Sequence, residues 1–287
     1  MADTKILSSN VQDKFSGDKA SMSGKNLHLA IEVREDSLYA CFLDKDANQY
    51  LAMACFSRIA DKEKKHPLET ILKEDILNFK CSSSSVAFTH NSAMLIPSVF
   101  FSSDSVKDYL KQQNLIKQNE TPCSDFIKNN DCHSLYAVNS TDYSHLKAKY
   151  PHAIFRHHSS VFVEYLLALH KGSTQSEVHV YVFHGYMDVV ALQLGKLLLY
   201  NRYYFQTPDE FTYFLIWVYE ELKLNPADSP CSLYGEIEEK SQMLELTRKY
   251  LTNIRLAEKP ARFAFLPMLA AIPGHRYYSL LMQYQCI

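Results

Sequence analysis

The histidines and cysteines are the residues of this chain best suited to bind a metal ion. Among its 12 histidines and 7 cysteines, the best candidates are Cys123, Cys132 and His133, together with the adjacent His157 and His158. Their separations match no familiar zinc pattern, and adjacent side chains on a regular element point in different directions. We therefore predict no metal site and interpret these histidines as solvated or core residues.

The serines form no recognisable nucleophilic centre with these histidines. The sequence has no Gly-x-Ser-x-Gly turn, and residues 82–85, all serine, form a polar run typical of a loop. Walker-type phosphate loops and dinucleotide-binding glycine patterns are also missing from the sequence. The sequence therefore gives no support for these enzyme classes.

Basic side chains cluster toward the C-terminal end, where aromatic residues such as Tyr250 and Phe263 lie between them. The cluster consists of Arg248, Lys249, Arg255, Lys259 and Arg262. Cations beside aromatic rings can contact phosphates and stack on bases, so this patch is a candidate RNA-binding surface. The net charge of −2 supplies no global field for nucleic acid, and a solvated helix face is the other interpretation.

A run of aromatic residues that begins at Tyr200 suggests a second contact surface. Tyr203 and Tyr204 must lie on opposite faces of one strand, so one of them faces outward. With Arg202 they would suit a protein interface, where tyrosine and arginine often supply the anchoring contacts. The alternative is a set of core tyrosines whose hydroxyls reach solvent.

Two stretches with the same order of elements must position these residues. Each is predicted as a meander of three antiparallel strands, followed by a helix and a further strand. In the first stretch these elements cover residues 27–33, 37–43, 49–56, 67–79 and 86–89; in the second they cover 178–183, 187–194, 197–205, 207–222 and 231–234. A helix over 236–250 follows, and Thr207 with Glu210 forms a capping box. We interpret this recurrence as a structural duplication.

The residues between the two stretches are predicted to complete the first half with alternating parallel units. They comprise a strand over 132–139, a helix over 141–150, a strand over 153–155 and a helix over 159–170. The polar residues 115–130 predict a loop. In the second stretch, Gly195 and Lys196 predict a tight hairpin turn.

The composition places the chain among folded globular proteins. Hydrophobic residues make up 47% of its 287 residues, enough for two modest domains, which we place at 26–175 and 176–287. Residues 1–25 are polar and predict a flexible tail. No apolar run is long enough to span a membrane, and the odd number of scattered cysteines indicates free thiols in a reducing cytoplasm.

Four segments carry a resemblance to known proteins. They are Met-Leu-Ile-Pro-Ser-Val-Phe-Phe at 94–101, Tyr-Asn-Arg-Tyr-Tyr-Phe at 200–205 with Thr-Pro-Asp-Glu-Phe at 207–211, Leu-Asn-Pro at 224–226, and Leu-Tyr-Gly-Glu at 233–236. Through them the chain from residue 26 resembles DUF3822, an uncharacterised Bacteroidetes family. The duplicated layout also resembles the actin-like ATPase superfamily, which pairs two ribonuclease-H-like domains, and within it the PilM-like proteins. The resemblance implies a fold but no established activity.

In active members of that superfamily, two hairpin turns hold the phosphates and a Gly-Gly motif contacts the adenosine. The resemblance implies that Glu32, Asp36, Gly185, Asp188 and Gly235 would line a site for ATP and Mg²⁺ here. The first turn lacks glycine and carries carboxylates, and the adenosine motif has one glycine instead of two. We therefore interpret these positions as turn residues and expect no ATP hydrolysis; nucleotide binding without turnover is the alternative.

The sequence thus predicts an α/β protein with a duplicated ribonuclease-H-like fold, in which each half is a mixed sheet flanked by helices. We expect a cytoplasmic, non-catalytic binding or scaffold protein, a pseudo-ATPase whose partner is another protein. Two alternatives stay open. One is an ATP-binding switch that uses the interdomain cleft, and the other is an RNA-associated accessory protein that uses the basic C-terminal patch.

Overall fold

The computed structural model describes residues 14–17, 19–58 and 66–286. Its strands, numbered in chain order, are β1 (Lys14–Gly17), β2 (Leu27–Val33), β3 (Ser37–Asp44), β4 (Gln49–Ser57), β5 (Ser83–Phe88), β6 (Ala93–Pro97), β7 (Glu120–Ile127), β8 (Cys132–Asn139), β9 (Ile154–His157), β10 (Ser176–Phe183), β11 (Tyr186–Gln193), β12 (Lys196–Tyr204), β13 (Cys231–Gly235), β14 (Ile254–Leu256) and β15 (Ala264–Phe265). Its α-helices are α1 (Lys19–Met22), α2 (Pro67–Ile71), α3 (Val106–Gln112), α4 (Ser140–Lys149), α5 (His158–Leu169), α6 (Pro208–Glu221), α7 (Gln242–Thr247) and α8 (Tyr278–Met282). None of these described helices has the length and apolar character needed to cross a membrane.

The two large sheets have the same strand order, so the chain consists of two similar halves. In the first sheet the order is β4-β3-β2-β5-β9, with β2, β3 and β4 antiparallel and with β5 and β9 added in parallel. In the second sheet, β12-β11-β10-β13-β14 repeats both the order and the strand directions. The predicted α/β class and the predicted duplication are confirmed.

A third sheet, β6-β8-β7, is antiparallel and lies outside the duplicated pattern. The prediction that residues 132–139 continue the first half in parallel is wrong, because β8 pairs with antiparallel neighbours on both sides. The predicted loop over 115–130 is also wrong, because it contains β7. In β7 the polar Asp125 is buried and the apolar Phe126 is 49% exposed, which reverses the usual pattern of a half-buried strand.

Three apolar layers pack on the two large sheets, and the central one holds the halves together. The central layer contains α5 and α8, which pack between the inner faces of the two large sheets. The outer face of the first sheet packs on α2 and α4, and the outer face of the second sheet packs on α6 and α7. Because α5 comes from the middle of the chain and α8 from its end, both halves depend on the same central core.

Several predicted boundaries shift in the structure. The predicted helix over 67–79 stops at Ile71 and continues after a break as a short 3₁₀ helix, and the helix predicted over 236–250 is confined to α7. The Thr207 cap is confirmed, since its hydroxyl accepts from the Glu210 amide. The hairpin between β11 and β12 turns at Leu194 and Gly195, one residue before the predicted pair, and both residues have positive φ.

Residues 1–25 do not form a flexible tail throughout. β1 pairs with β4 at the edge of the first sheet, and Met22 in α1 is buried in the outer core. A Cβ at Gly17 would lie 2.4 Å from the Cβ of Ala52, so β1 approaches the sheet closely at this point. The remaining residues of the predicted tail, 1–13 and 18, lie outside the described part of the chain.

Candidate functional site

The candidate site is the cleft where the β2–β3 turn, the β10–β11 turn and the carboxyl end of β13 meet. β10 and β13 are parallel neighbours, with Val182 opposite Gly235, so both strands end at the same edge of the second sheet. An ion pair from Arg34 to Glu236 joins the β2–β3 turn of the first half to this edge. These are the three positions at which the resemblance implied a nucleotide.

Arg34 forms ion pairs with a carboxylate from each half of the chain. Its Nε lies 2.7 Å from Oε1 of Glu32, and its Nη1 donates to Oε1 of Glu236. The Ser279 hydroxyl, on α8, donates to the other oxygen of Glu32. Glu32 is fully buried and Arg34 is 5% exposed, so this pair is removed from water.

Aromatic rings and carboxylates together fix the Arg34 guanidinium. Its central carbon lies 4.6 Å from the ring centre of Tyr39 and 5.4 Å from that of Phe183. Burial acts to lower the pKa of Arg34, but the carboxylates of Glu32 and Glu236 outweigh it and raise the pKa above its ordinary value. The guanidinium is therefore a permanent cation whose charge is balanced by side chains of the same chain.

A second buried ion pair lies beside the β10–β11 turn, and its arginine also contacts the first half. Arg202 contacts both oxygens of Asp188, at 2.6 Å from Nε and 2.8 Å from Nη2, and Nε2 of His158 lies 2.5 Å from Oδ2. Arg202 also donates to the carbonyl oxygens of Thr89 and His90 in the first half. Burial acts to raise the pKa of Asp188, but Arg202 outweighs it and holds the pKa well below its usual range. Asp188, implied as a nucleotide contact, is fully buried and bound to Arg202 and His158 in this structure.

The two glycines of the implied nucleotide site differ in the space around them. Gly185 has φ +78°, and a Cβ there would meet its nearest atom, the Phe205 carbonyl oxygen, at 3.9 Å. Gly235 has φ +84°, and a Cβ there would lie 2.1 Å from the Val182 carbonyl oxygen. The Gly235 amide already donates to the His275 carbonyl oxygen. Packing therefore requires glycine at 235, and its amide is not free to bind a phosphate or a base.

Sequence reasoning located the three turns that meet in this cleft but missed the ion pairs between them. It named Glu32 and Asp36; Glu32 is buried in the ion pair, whereas Asp36 is exposed on the turn. It did not name Arg34, although residues two apart on a strand share a face and Glu32 with Arg34 could have been recognised as a pair. Glu236 and Ser279 carried no such signal, because they come from 202 and 247 residues away in the chain.

The basic residues near the C-terminal end have separate surroundings. Arg248 pairs with Glu239 at 2.5 Å, whereas the Lys259 ammonium donates to two backbone carbonyl oxygens. Phe263, one of the aromatic residues of the predicted patch, is buried and cannot stack on a base. The exposed members are Arg248, Lys249, Arg255 and Arg262. RNA binding by these residues stays a prediction.

The predicted aromatic interface is reduced to one exposed residue. Tyr203 is 8% exposed and Arg202 is 9% exposed, because the tyrosine faces the core and the arginine pairs with Asp188. Tyr204 faces the opposite side and is 62% exposed, and its hydroxyl lies 2.9 Å from the Ser92 hydroxyl. A groove of about 340 Å³ lies beside this contact, between β6 and β12.

The five metal candidates named from the sequence do not form a ligand group. His158 contacts Asp188, and both nitrogens of His157 lie within hydrogen-bond distance of a serine hydroxyl or a backbone carbonyl. His133 stacks on the Phe101 ring with centres 3.5 Å apart. Over residues 14–17, 19–58 and 66–286, no group of three ligands includes any of the five.

Comparisons with known proteins agree with this architecture. The model of a family described as "Protein of unknown function (DUF3822)" matches residues 18–254. A crystal structure from Bacteroides thetaiotaomicron VPI-5482, described as a protein with actin-like ATPase fold and unknown function, is similar with a TM-score of 0.73 and 17% identity, covering 84% of this chain and 94% of that one. The PilM-PilN type IV pilus biogenesis complex is similar with a TM-score of 0.53 and 11% identity, covering 90% of this chain and 98% of that one. No curated protein matches the chain. The predicted actin-like ATPase fold is confirmed.

Proposed function

We propose that this chain, which belongs to the DUF3822 family, is a non-catalytic member of the actin-like fold that binds a protein partner. The observation that carries the proposal is the Arg34 guanidinium, which binds Glu32 and Glu236 where the resemblance places nucleotide phosphates. The cation that could have met a phosphate is thus neutralised within the chain. A triphosphate entering the cleft would also lie beside two carboxylates, and like charges in a partly buried site repel strongly.

The groove between β6 and β12 is the surface that we assign to the partner. β6 is the edge strand of the small sheet and β12 is the edge strand of the second large sheet, so each leaves one side of its backbone unpaired. An extended segment of another protein can pair with such an edge while side-chain pockets select its sequence. Ser92, Met94, Leu115, Tyr200 and Asn201 line the groove, which offers both polar and apolar contacts.

Two further facts support a protein partner. Tyr204 lies beside the groove and is 62% exposed, and exposed tyrosine is enriched among residues that anchor protein interfaces. A protein with a similar fold, PilM, forms a type IV pilus biogenesis complex with PilN. The fold therefore accommodates a protein partner in at least one other case.

Titration of the purified chain with ATP and Mg²⁺ by calorimetry, followed by a phosphate-release assay, tests the non-catalytic part. We expect no heat of binding at millimolar ATP and no phosphate release. Saturable binding together with release would overturn the proposal. Saturable binding without release would replace it with the ATP-dependent switch.

A blocking substitution tests the groove. Asn201 is exposed and lines the groove, so Asn201→Trp should fill it without disturbing the core. Gln193→Trp, at the exposed end of the neighbouring strand, is the matched control. In chemical cross-linking within the native host, we expect a specific protein to be recovered with the wild type and the control but lost with Asn201→Trp. Equal recovery with all three chains would show that the groove does not bind it.

A further inference from the structure

His170, Glu177 and His179 lie together at the end of the second sheet that is farther from the cleft. Glu177 and His179 are two residues apart on β10, so their side chains leave the same face of the strand. His170 ends α5, the helix that packs over that face. Six residues of strand separate Glu177 from the β10–β11 turn, which is roughly 20 Å at about 3.3 Å per residue. The cluster is therefore distinct from the cleft.

The arrangement of these three side chains suits a cation. One nitrogen of each imidazole and one carboxylate oxygen all lie within 4.8 Å of one another. Glu177 Oε1 lies 2.7 Å from Nδ1 of His170, and its Oε2 lies 3.9 Å from Nε2 of His179. The carboxylate thus stands between two imidazoles, with one oxygen directed toward each.

Two buried nitrogens in the cluster have no hydrogen-bond partner. They are Nε2 of His170 and Nε2 of His179, and the His179 side chain is 2% exposed. The other nitrogen of His179, Nδ1, lies 3.1 Å from the Tyr234 hydroxyl. That contact fixes the ring and leaves Nε2 directed toward Glu177, as outer hydrogen-bond partners commonly do for metal-binding histidines. An unsatisfied buried nitrogen is costly, and a metal ion would satisfy it.

We propose that His170, Glu177 and His179 bind a divalent transition metal ion, with Zn²⁺ as the best match. Two histidines and one glutamate are a recurrent zinc ligand set that leaves a coordination position open. Zinc bonds of about 2.0–2.2 Å hold tetrahedral ligand atoms roughly 3.4 Å apart, so the 2.7 Å contact must lengthen and the longer separations must shorten, each by roughly 1 Å. His170 and Glu177 can move by that amount, since they lie at the end of a helix and near the start of a strand.

The open coordination position faces a cavity of about 310 Å³. Ser232 and Tyr165 line this cavity, and Arg255 adds a positive charge to its wall. A bound metal ion with a nearby guanidinium attracts anions, so the fourth ligand is water or a small anion such as inorganic phosphate. This gives Arg255 a role that does not involve nucleic acid.

Zinc titration of the metal-free chain tests the proposal. We expect one Zn²⁺ per wild-type chain. His170→Ala and Glu177→Gln should each lose more affinity than the roughly 10- to 100-fold typical of removing a residue that only hydrogen-bonds to a ligand. Glu177→Gln keeps the size of the side chain, and circular dichroism without zinc verifies that each variant is folded. His184→Ala, an exposed histidine on the β10–β11 turn, should bind zinc like the wild type.

Cobalt substitution identifies the ligands. Co²⁺ should give visible absorption typical of four or five ligands in the wild type, and this absorption should disappear in Glu177→Gln. A near-ultraviolet band from thiolate bonded to cobalt would place the metal on a cysteine and overturn the assignment. Failure of the wild type to bind zinc, or equal binding by His170→Ala, would overturn it too.

Discussion

Replacing Arg34 with methionine is the most direct test of the charge arrangement in the cleft. The substitution keeps an unbranched apolar stem but removes the cation that contacts Glu32, whose side chain is 0% exposed. The Ser279 hydroxyl would remain as a neutral partner of the carboxylate. Leaving one charge of a buried pair without its partner typically costs about 3–5 kcal/mol, so we expect Arg34→Met to lower the free energy of unfolding by that amount.

Urea denaturation followed by circular dichroism measures this loss. With a slope of about 3 kcal/mol per molar urea, the unfolding midpoint should fall by roughly 1 to 2 M. The double variant Glu32→Gln/Arg34→Met removes both charges and should recover most of the loss, because a buried pair replaced by neutral groups is often energetically neutral. The control is Arg248→Met, whose ion pair with Glu239 is exposed and should contribute little.

Two results would refute this reasoning. One is a loss of less than about 1 kcal/mol in Arg34→Met, which is the range of exposed ion pairs. The other is a double variant as unstable as the single one, because the damage would then come from lost packing against Tyr39 and Phe183 and not from an unpaired carboxylate.

Three further outcomes are expected. The folded-state pKa of Asp188 is lowered, since the effect of Arg202 outweighs that of burial. The stability that the Arg202–Asp188 pair contributes is therefore complete above about pH 4 and is lost as the pH falls further. Acid unfolding monitored by fluorescence should show a weaker pH dependence in Asp188→Asn. Gly235→Ala should destabilise far more than Gly185→Ala in thermal melts, since a Cβ meets an atom at 2.1 Å in the first case and 3.9 Å in the second. Leu194→Asn should raise the stability measured in urea by up to about 1 kcal/mol, because Leu194 is exposed and has φ 52°.

The glycine comparison also changes how a nucleotide site can be tested in this chain. Because the resemblance implies an adenosine contact at Gly235, a bulky substitution there is an obvious probe of ATP binding. The structure shows that such a residue would collide with β10 whether or not a nucleotide binds, because Gly235 packs against Val182 and Tyr181. Gly185 is the better probe, since a side chain there meets the same positive-φ strain as at Gly235 but no collision.

The duplicated meanders could be predicted because their signals are local. Strand alternation, hairpin turns and the Thr207 cap depend on residues a few positions apart, and each half has them in the same order. The small sheet could not be predicted in this way. β7 has a buried Asp125 that accepts from the Tyr136 hydroxyl and the His157 amide, so a polar residue replaces the apolar one that the pattern requires.

The Arg34 ion pairs and the metal cluster could not be predicted for a different reason. Arg34 meets Glu236 from 202 residues away, and His170 meets Glu177 and His179 only because α5 ends over β10. Among the histidines, the adjacent pair His157 and His158 and the spacings to cysteine gave the visible metal signal in the sequence. Glu177 and His179 were not recognised as a pair, although residues two apart on a strand lie on the same face.

The arginine of the second buried ion pair, Arg202, contacts both the cleft and the groove between β6 and β12. Arg202 lines the groove, pairs with Asp188 on β11 and donates to the Thr89 and His90 carbonyl oxygens of the first half. One buried cation therefore fixes the second sheet against the first half at the place where β6 approaches β12. The resemblance implies a nucleotide between the halves; in the structure, charged side chains of the chain itself make contacts at that place. We expect a groove held in this way to keep its shape without a ligand, as the binding role proposed above requires.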